Sequence, residues 1–204
     1  MSEVFVDGEE VVFEGETPTS PQEVYDLLMT ALSEQAKAVT GFVVDGQDVM
    51  ADEQQVPESY QRIEATSLSH RELTHRVIRE FLEKMDNLGT DLRAYAKNIL
   101  MIGWSEVFQR MEEFTGKIKP FADLLDNLSP YAQIYSPPWK EGLEKLAGEQ
   151  AACLETVLGH FEAGNVAGLS DDVSTVLAPL FERSRKFLRE EAMPELEGEP
   201  GGTS

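Results

Sequence analysis

A helical repeat of apolar residues runs for about 120 residues, from Ser69 to Ala192, and dominates this sequence. It opens with Ser69-His70-Arg71-Glu72, in which the two outer side chains can each bond the other's backbone N–H, as in a capping box. From there apolar side chains recur three or four residues apart: Leu73, Val77, Phe81, Met85, Leu88, Leu92, Tyr95 or Ala96, Ile99 and Ile102. Such a stripe occupies one helix face and needs other helices to cover it. The pattern therefore predicts packed helices.

Helix breakers divide this block into four predicted helices, at residues 69–88, 91–128, 139–161 and 170–192. A loop is predicted for Ser129–Pro138, which contains three prolines. Pro120 and Pro179 predict kinks, and Pro194 predicts the end of the last helix. Four helices with short connections favour an antiparallel four-helix bundle.

The first third of the chain predicts two hairpins on either side of one helix. Val4–Phe13 and Thr40–Val49 each contain an Asp-Gly pair between β-rich runs, the composition of a type I′ turn. Between them, Ser20-Pro21-Gln22-Glu23 predicts a capped helix start. The helix stripe expected to be buried is Val24, Leu27, Leu28, Ala31 and Leu32. A last strand is predicted at Gln61–Ala65.

The two Asp-Gly segments resemble each other. Phe5–Val11 aligns with Val43–Val49 around Val-Asp-Gly. A duplicated binding loop would give this pattern, but so would two copies of the commonest tight-turn chemistry. Both explanations stay open at the level of sequence.

The order strand, strand, helix, strand, strand over residues 3–67 resembles a β-grasp (ubiquitin-like) fold. Carriers of that family act through an exposed C-terminal Gly-Gly, whereas here the segment continues directly into a helix. Gly201-Gly202 is followed by two further residues, so a carrier role is not expected. The sequence therefore predicts an α+β protein with a β-grasp-like domain at 1–68, a helical bundle at 69–192 and a disordered acidic tail at 193–204.

The net charge is −21, from 38 acidic and 17 basic residues. Counting to Leu68 gives 15 acidic and 2 basic residues, a net charge of −13, so most of the excess lies in the first third. Phosphate backbones and anionic lipids repel such a surface, which excludes nucleic-acid and membrane partners and favours basic ones. The acidic start, the lack of a long apolar run and a single cysteine, Cys153, predict a cytoplasmic protein.

Candidate catalytic and metal-binding residues are few. Glu72 and His75 have the Glu-x-x-His spacing of di-metal carboxylate bundles, but a second pair is missing and Glu72 is the expected cap residue, so they are weak metal candidates. Cys153 and His160 lie two helical turns apart, about 10 Å, too far for a nucleophile and its base. No phosphate-binding or hydrolase motif is present, and no cofactor is predicted.

Aromatic and methionine residues offer the best candidate for a binding surface. One set has helical spacing (Met101, Trp104, Phe108 and Met111), and a second set lies in or next to the predicted loop (Tyr131, Tyr135 and Trp139). Both sets could be core, or could form a groove for a partner's amphipathic helix and a group of interface side chains. Sequence alone leaves both alternatives open.

Gly103-Trp104, Glu162–Asn165 and Leu177–Glu182 resemble uncharacterised bacterial proteins that join a small β domain to a helical bundle. That resemblance implies a bacterial origin and assigns no activity. With the acidity and the aromatic strip, it favours a non-catalytic protein-binding module, an adaptor or a factor resembling secretion and export chaperones, whose partner is basic or presents an amphipathic helix. The alternatives are a bundle that binds a metal ion or a small apolar ligand, with enzymatic activity as one option, and a homo-oligomer.

Overall fold

A computed structural model describes residues 2–13, 15–50 and 57–198. The chain divides into two compact units, Met1–Leu73 and Thr74–Ser204, each with its own hydrophobic core. A five-stranded sheet precedes a series of helices, which confirms the predicted α+β class.

The N-terminal unit is a mixed sheet with one helix. Its elements are β1 (Glu3–Val6), β2 (Glu9–Glu10), α1 (Pro21–Glu34), β3 (Lys37–Val44), β4 (Gln47–Asp48) and β5 (Arg62–Ser69). The strand order is β2-β1-β5-β3-β4, with β1 parallel to β5 and the other pairs antiparallel. Both predicted hairpins are therefore confirmed, and the final strand extends four residues beyond the predicted Ala65.

The two hairpin turns have positive φ angles at both central residues, 53° and 85° at Asp7-Gly8 and 50° and 86° at Asp45-Gly46. Only a turn of the primed type requires this pair, and its twist matches that of the strands it joins. The turn chemistry predicted from sequence is confirmed.

Helix α1 begins as predicted but buries a narrower stripe. Ser20 and Glu23 form a complete capping box, with Pro21 in the first turn. Val24, Leu28 and Leu32 are buried against the sheet. Leu27 is 50% exposed and Ala31 is also exposed, so the prediction that both are buried is wrong.

The remaining helices follow from the end of β5. They are α2 (His70–Lys84), α3 (Leu88–Ile99), α4 (Trp104–Gln109), α5 (Met111–Tyr135), α6 (Lys140–Glu162), α7 (Val166–Asp172), α8 (Ala178–Phe187) and α9 (Met193–Glu197). The capping box at Ser69 is confirmed: its N–H and Oγ donate to Glu72 Oε2 at 2.9 and 2.7 Å, and Oγ accepts from Glu72 N. In the described parts of the chain, no helix combines the length and the apolar character needed to cross a membrane.

The predicted second helix, 91–128, is three helices, because the chain leaves helical geometry around Gly103 and again at Arg110. The loop predicted at Ser129–Pro138 is wrong over most of its length, since α5 continues through Pro130 to Tyr135. A proline removes one helical hydrogen bond, but the buried stripe of α5 continues on both sides of it and stabilises the helix. Ser136, with φ of 44°, ends the helix.

The last helical segment starts earlier and ends later than predicted. Asn165 caps α7 through Gly168 N, and the helix starts at Val166, four residues before the expected start. Two π-helical turns, Val173–Leu177 and Leu188–Ala192, separate α7, α8 and α9. Pro194 directly follows the second π-helical turn, and the helical segment continues past it to Glu197, so the prediction that it ends the helix is wrong. The disordered tail was predicted at 193–204; α9 occupies Met193–Glu197 of it, and residues 199–204 lie outside the described residues.

Candidate functional site

An open groove of about 290 Å³ runs between α5 and α6 of the C-terminal unit. Its walls are almost entirely apolar and come from α5, α6 and α7: Met111, Phe114, Thr115, Ile118, Lys119, Ala122, Leu154, Val157, Leu158, Phe161 and Leu169. Exposed apolar surface in a concave site is a common property of binding sites.

Helical periodicity places these side chains on facing surfaces. On α5, Met111, Phe114 and Ile118 are three and four residues apart, and on α6 Leu154, Leu158 and Phe161 have the same spacing. The two helices are joined by Gln150, whose Nε2 donates to the carbonyl of Phe121 at 3.1 Å in the core. The groove is therefore bounded by helices held in fixed register.

The predicted aromatic and methionine strip adjoins this groove. Met101 is 86% exposed and Phe108 62%, whereas Trp104 and Met111 are half-buried. The rings of Trp104 and Phe108 lie 5.0 and 5.7 Å from that of Phe161. Phe161 therefore connects the strip to the groove, and part of the strip is accessible rather than core.

The second predicted set is mostly buried. Trp139 is 2% exposed, stacks on Tyr131 with ring centroids 5.8 Å apart, and donates Nε1–H to Glu195 Oε2 at 3.1 Å. Tyr131 is buried as well, and only Tyr135 is exposed, with its ring 4.7 Å from that of Tyr131. Because α5 extends to Tyr135, these rings pack the α5–α6 junction. Trp139 and Tyr131 are not surface contact residues in this fold.

Carboxylates flank the groove. Glu112 lies three residues before Thr115 on α5, and Glu155 and Glu162 lie three before and four after Leu158 on α6, so each is next to a residue of the groove wall on its own helix. Among the described side chains none of the three forms an ion pair, whereas Lys119 in the groove wall is paired with Asp123 at 2.6 Å. The margin of the groove is therefore net acidic.

The weak metal candidates are engaged elsewhere. Glu72 accepts hydrogen bonds from Ser69, which lower the pKa of its carboxyl. The imidazole of His75 lies 3.4 Å from Glu197 Oε1. Over residues 2–13, 15–50 and 57–198, no group of three or more His, Cys, Asp and Glu side chains is placed to hold a metal ion.

The sequence did not indicate the partner of His160, which is Asp172. Asn165 Oδ1 accepts from Gly168 N, so its Nδ2 donates to His160 Nδ1 at 3.1 Å. The proton of neutral His160 is then on Nε2, 3.1 Å from Asp172 Oδ2. Burial, with the nearby Asp172 charge, raises the pKa of Cys153 to about 11. Such a thiol stays protonated near neutral pH, which does not favour a nucleophilic role.

Both aspartates of the repeated Val-Asp-Gly turns bond the same strand. Asp45 Oδ1 accepts from the N–H groups of Gln61 and Arg62, at the start of β5, at 2.9 and 2.7 Å. Asp7 accepts from Ser67, nearer the end of β5. These bonds give each carboxylate a structural role, which favours ordinary turn chemistry over a duplicated binding loop.

The strip predicted from sequence contributes Met111 to the groove wall, whereas no binding residue was predicted on α6. Leu154, Val157, Leu158 and Phe161 form an apolar stripe on the helix predicted at 139–161. The available signal was the width of that stripe, because adjacent apolar residues at 157 and 158 cannot both face one partner helix. Comparisons with protein-family models, with curated proteins and with solved structures found no match for this chain.

Proposed function

We propose that this chain is a non-catalytic protein-binding module, an adaptor or export-chaperone-like factor of the bacterial cytoplasm, that binds an amphipathic helix of its partner in the α5–α6 groove. In this proposal the N-terminal unit is a β-grasp domain, which its strand order supports. The helices that follow it in the sequence form an elaborated four-helix bundle. The observation that carries the proposal is the apolar groove with Phe108 and Leu158 exposed at its margins.

The chemistry of the groove indicates which helix would fit. Apolar side chains at i, i+3, i+4 and i+7 of a partner helix would fill the space between α5 and α6. Met111 in the wall can repack around different partner side chains because its thioether chain is unbranched. Lysine or arginine beside the apolar stripe would pair with Glu112, Glu155 and Glu162. The preferred partner segment is therefore a basic amphipathic helix.

The volume of the groove supports a second candidate function. A space of about 290 Å³ is close to the lower limit of small-molecule sites, so a small apolar ligand is the alternative occupant. The acidic margin favours the helix, since an uncharged ligand gains nothing from carboxylates around the site.

The test compares two charge insertions at equally exposed leucine and valine positions. Leu158, 47% exposed, lies in the groove, and Val176, 44% exposed, does not line it. The proteins to compare are wild type, Leu158→Glu and Val176→Glu, each titrated with a synthetic amphipathic helix of leucine and lysine and each used to recover partners from a lysate of the source organism. Circular dichroism confirms that all three are folded.

The proposal expects the synthetic helix and one stoichiometric partner to bind wild type and Val176→Glu. Leu158→Glu should weaken peptide binding by about tenfold or more, and binding should fall as salt is raised. Equal binding to all three proteins would contradict the proposal. A small molecule retained by the purified protein in native mass spectrometry, and lost in Leu158→Glu, would support the alternative.

A further inference from the structure

A second concave surface, of about 440 Å³, lies in the N-terminal unit between α1 and the β1–β2 hairpin. Its apolar walls are Val6 and Val11 on the hairpin side and Leu28, Ala31 and Leu32 on the helix side. Glu9 and Glu10 of β2 also line the cleft. The cleft belongs to a different unit from the α5–α6 groove, so the inference below is independent of the proposed function.

The sheet covers only part of the apolar surface of α1. Helix α1 packs mainly on β3, which is separated from β2 by the two strands β1 and β5. Leu27 and Ala31, one turn apart, are therefore left exposed beside the cleft. One more strand beyond β2 would extend the sheet toward these residues.

Strand β2 presents an open edge to such a strand. Among the strands that the structure describes, it is the last of the sheet on its side and pairs with β1 alone. Val11 N donates inward to Val4 O at 2.8 Å. Inward and outward groups alternate along an antiparallel strand, so the N–H groups of Glu10 and Val12 point away from β1. Outward N–H groups are the donors that an added strand uses.

Charge distinguishes between the segments that could add here. Glu9 pairs with Val6, on the helix side of the sheet, and Glu10 pairs with Phe5, on the opposite side. Neither glutamate forms an ion pair within the part of the chain that the structure describes. A second copy of this chain would place β2 against β2 and bring four carboxylates together, which is destabilising. A strand with basic side chains would meet an opposite charge on both faces.

We propose that the open edge of β2 and the adjoining cleft bind an extended basic segment of another protein as a sixth strand. Apolar residues at alternate positions of that segment cover Val11, Leu27 and Ala31, because alternate side chains of a strand share one face. Lysine or arginine residues at the intervening positions lie on the opposite face of the sheet and pair with Glu10. The backbone hydrogen bonds to β2 fix the segment's register.

The test uses the full-length chain and three synthetic peptides of equal length. The first alternates lysine and valine, the second alternates lysine and proline, and the third alternates glutamate and valine. The second has the same charge as the first but cannot supply the backbone N–H groups of a strand at its proline positions. Affinity is measured by fluorescence anisotropy, and the binding site is located from backbone amide shifts in NMR spectra.

The proposal expects the lysine–valine peptide to shift the amides of Glu10 and Val12 and to slow their hydrogen exchange. The lysine–proline peptide should bind at least about tenfold more weakly than the lysine–valine peptide. The glutamate–valine peptide should not bind. The double variant Glu9→Lys/Glu10→Lys should lose the interaction. The matched control Glu144→Lys/Glu191→Lys changes the net charge by the same amount at exposed positions elsewhere and should retain it.

Three results would overturn the proposal. The first is equal affinity for the lysine–valine and lysine–proline peptides, which indicates attraction by net charge alone. The second is a set of shifted amides outside residues 9–13 and 27–35. The third is no binding of the lysine–valine peptide. None of these results bears on the α5–α6 groove, which is probed by Leu158→Glu and by a helical peptide.

Discussion

The carboxylate of Asp7 accepts two hydrogen bonds from Ser67, one from its backbone N–H at 2.7 Å and one from its hydroxyl at 2.6 Å. Sixty residues separate the two in sequence. The bonds tie the turn between β1 and β2 to β5, which pairs with both β1 and β3. An exposed turn residue thus closes the N-terminal unit.

Replacing Asp7 by Asn should destabilise the protein in a pH-dependent way. The two bonds from Ser67, with Lys37 nearby, lower the pKa of Asp7 below 3.8. A carboxyl whose pKa is lower in the folded than in the unfolded protein stabilises the fold above about 3.8, and this contribution disappears as pH falls through the folded-state pKa. Because the side chain is 41% exposed, we expect a loss of only about 0.5–1 kcal/mol near neutral pH.

Urea denaturation of wild type and Asp7→Asn, near pH 7 and near pH 3, measures this difference. Asn also adopts positive φ readily, so the turn itself is preserved. The gap between the two proteins should narrow at the lower pH. A gap that is the same at both would show that the ionised carboxylate is not responsible.

Cys153 should be almost unreactive in the folded protein. With a pKa of about 11, the thiol is about one part in a thousand thiolate near pH 8, and the thiolate is the nucleophile. Alkylation by iodoacetamide, followed by mass spectrometry, should be about a hundredfold slower than in denaturant, where an ordinary thiol has a pKa near 8.5. The folded-state rate should rise steadily from about pH 7 to 9.5. A plateau within that range would contradict the high pKa.

Trp139 and Leu196 should both contribute to holding α9 in place. Trp139→Phe keeps the stacking on Tyr131 but removes the donor to Glu195, so we expect a loss of about 1 kcal/mol. Leu196→Ala removes buried apolar volume and should cost about 2–3 kcal/mol. Hydrogen exchange of the α9 amides, at residues 193 and 195–197, should accelerate in both variants. Acceleration spread evenly over the whole unit would instead indicate global destabilisation.

Truncation of Val107 to alanine should reduce stability, whereas truncation of its neighbour Phe108 should leave stability nearly unchanged. Val107 is fully buried, and Val107→Ala should lower the free energy of unfolding by about 2 kcal/mol. Phe108 is mostly exposed, and Phe108→Ala should change it by less than about 0.5 kcal/mol. The matched control is Ile134→Ala, which truncates a similarly exposed side chain away from the groove.

Binding of the leucine–lysine helix should distinguish Phe108 from Ile134, although neither side chain contributes much to stability. Phe108→Ala should weaken binding while Ile134→Ala leaves it unchanged, measured by calorimetric titration. Equal losses in Phe108→Ala and Ile134→Ala would remove Phe108 from the binding surface.

Local chemistry was readable from the sequence where one residue type decides the conformation. Asp7-Gly8 and Asp45-Gly46 predicted their turns because few other pairs accept two positive φ angles. The caps at Ser20 and Ser69 were predicted because serine with glutamate three residues later satisfies backbone donors that a helix start leaves free. Each of these conformations is determined by residues that are close together in the sequence.

Tertiary packing decided the features that sequence reasoning misplaced. Pro130 remains in a helix because buried residues on both sides of it compensate for the lost hydrogen bond. Trp139 is core because α5 reaches Tyr135 and brings Tyr131 against its ring. Leu27 is exposed because α1 lies toward β3. The α6 wall of the groove was not predicted, because the helices that pack against α6 determine which of its apolar residues stay exposed.

The two π-helical turns explain a regularity of the last helical segment. Buried residues recur there at almost constant intervals of four: Leu169, Val173, Leu177, Phe181, Ser184, Leu188, Ala192 and Leu196. An α-helix advances 100° per residue, so an interval of four would carry such a series around the helix by about 40° each time. Each π turn accommodates one extra residue and returns the series to the same face.

The segment thus tolerates single-residue length changes unevenly. Deleting one residue within Val173–Leu177 converts a π turn to an α turn and leaves every later side chain on its present face. The same deletion in α8 rotates everything after it by about 100° and exposes Leu196. We therefore expect single-residue length changes in this part of the chain to be tolerated only within Val173–Leu177 and Leu188–Ala192.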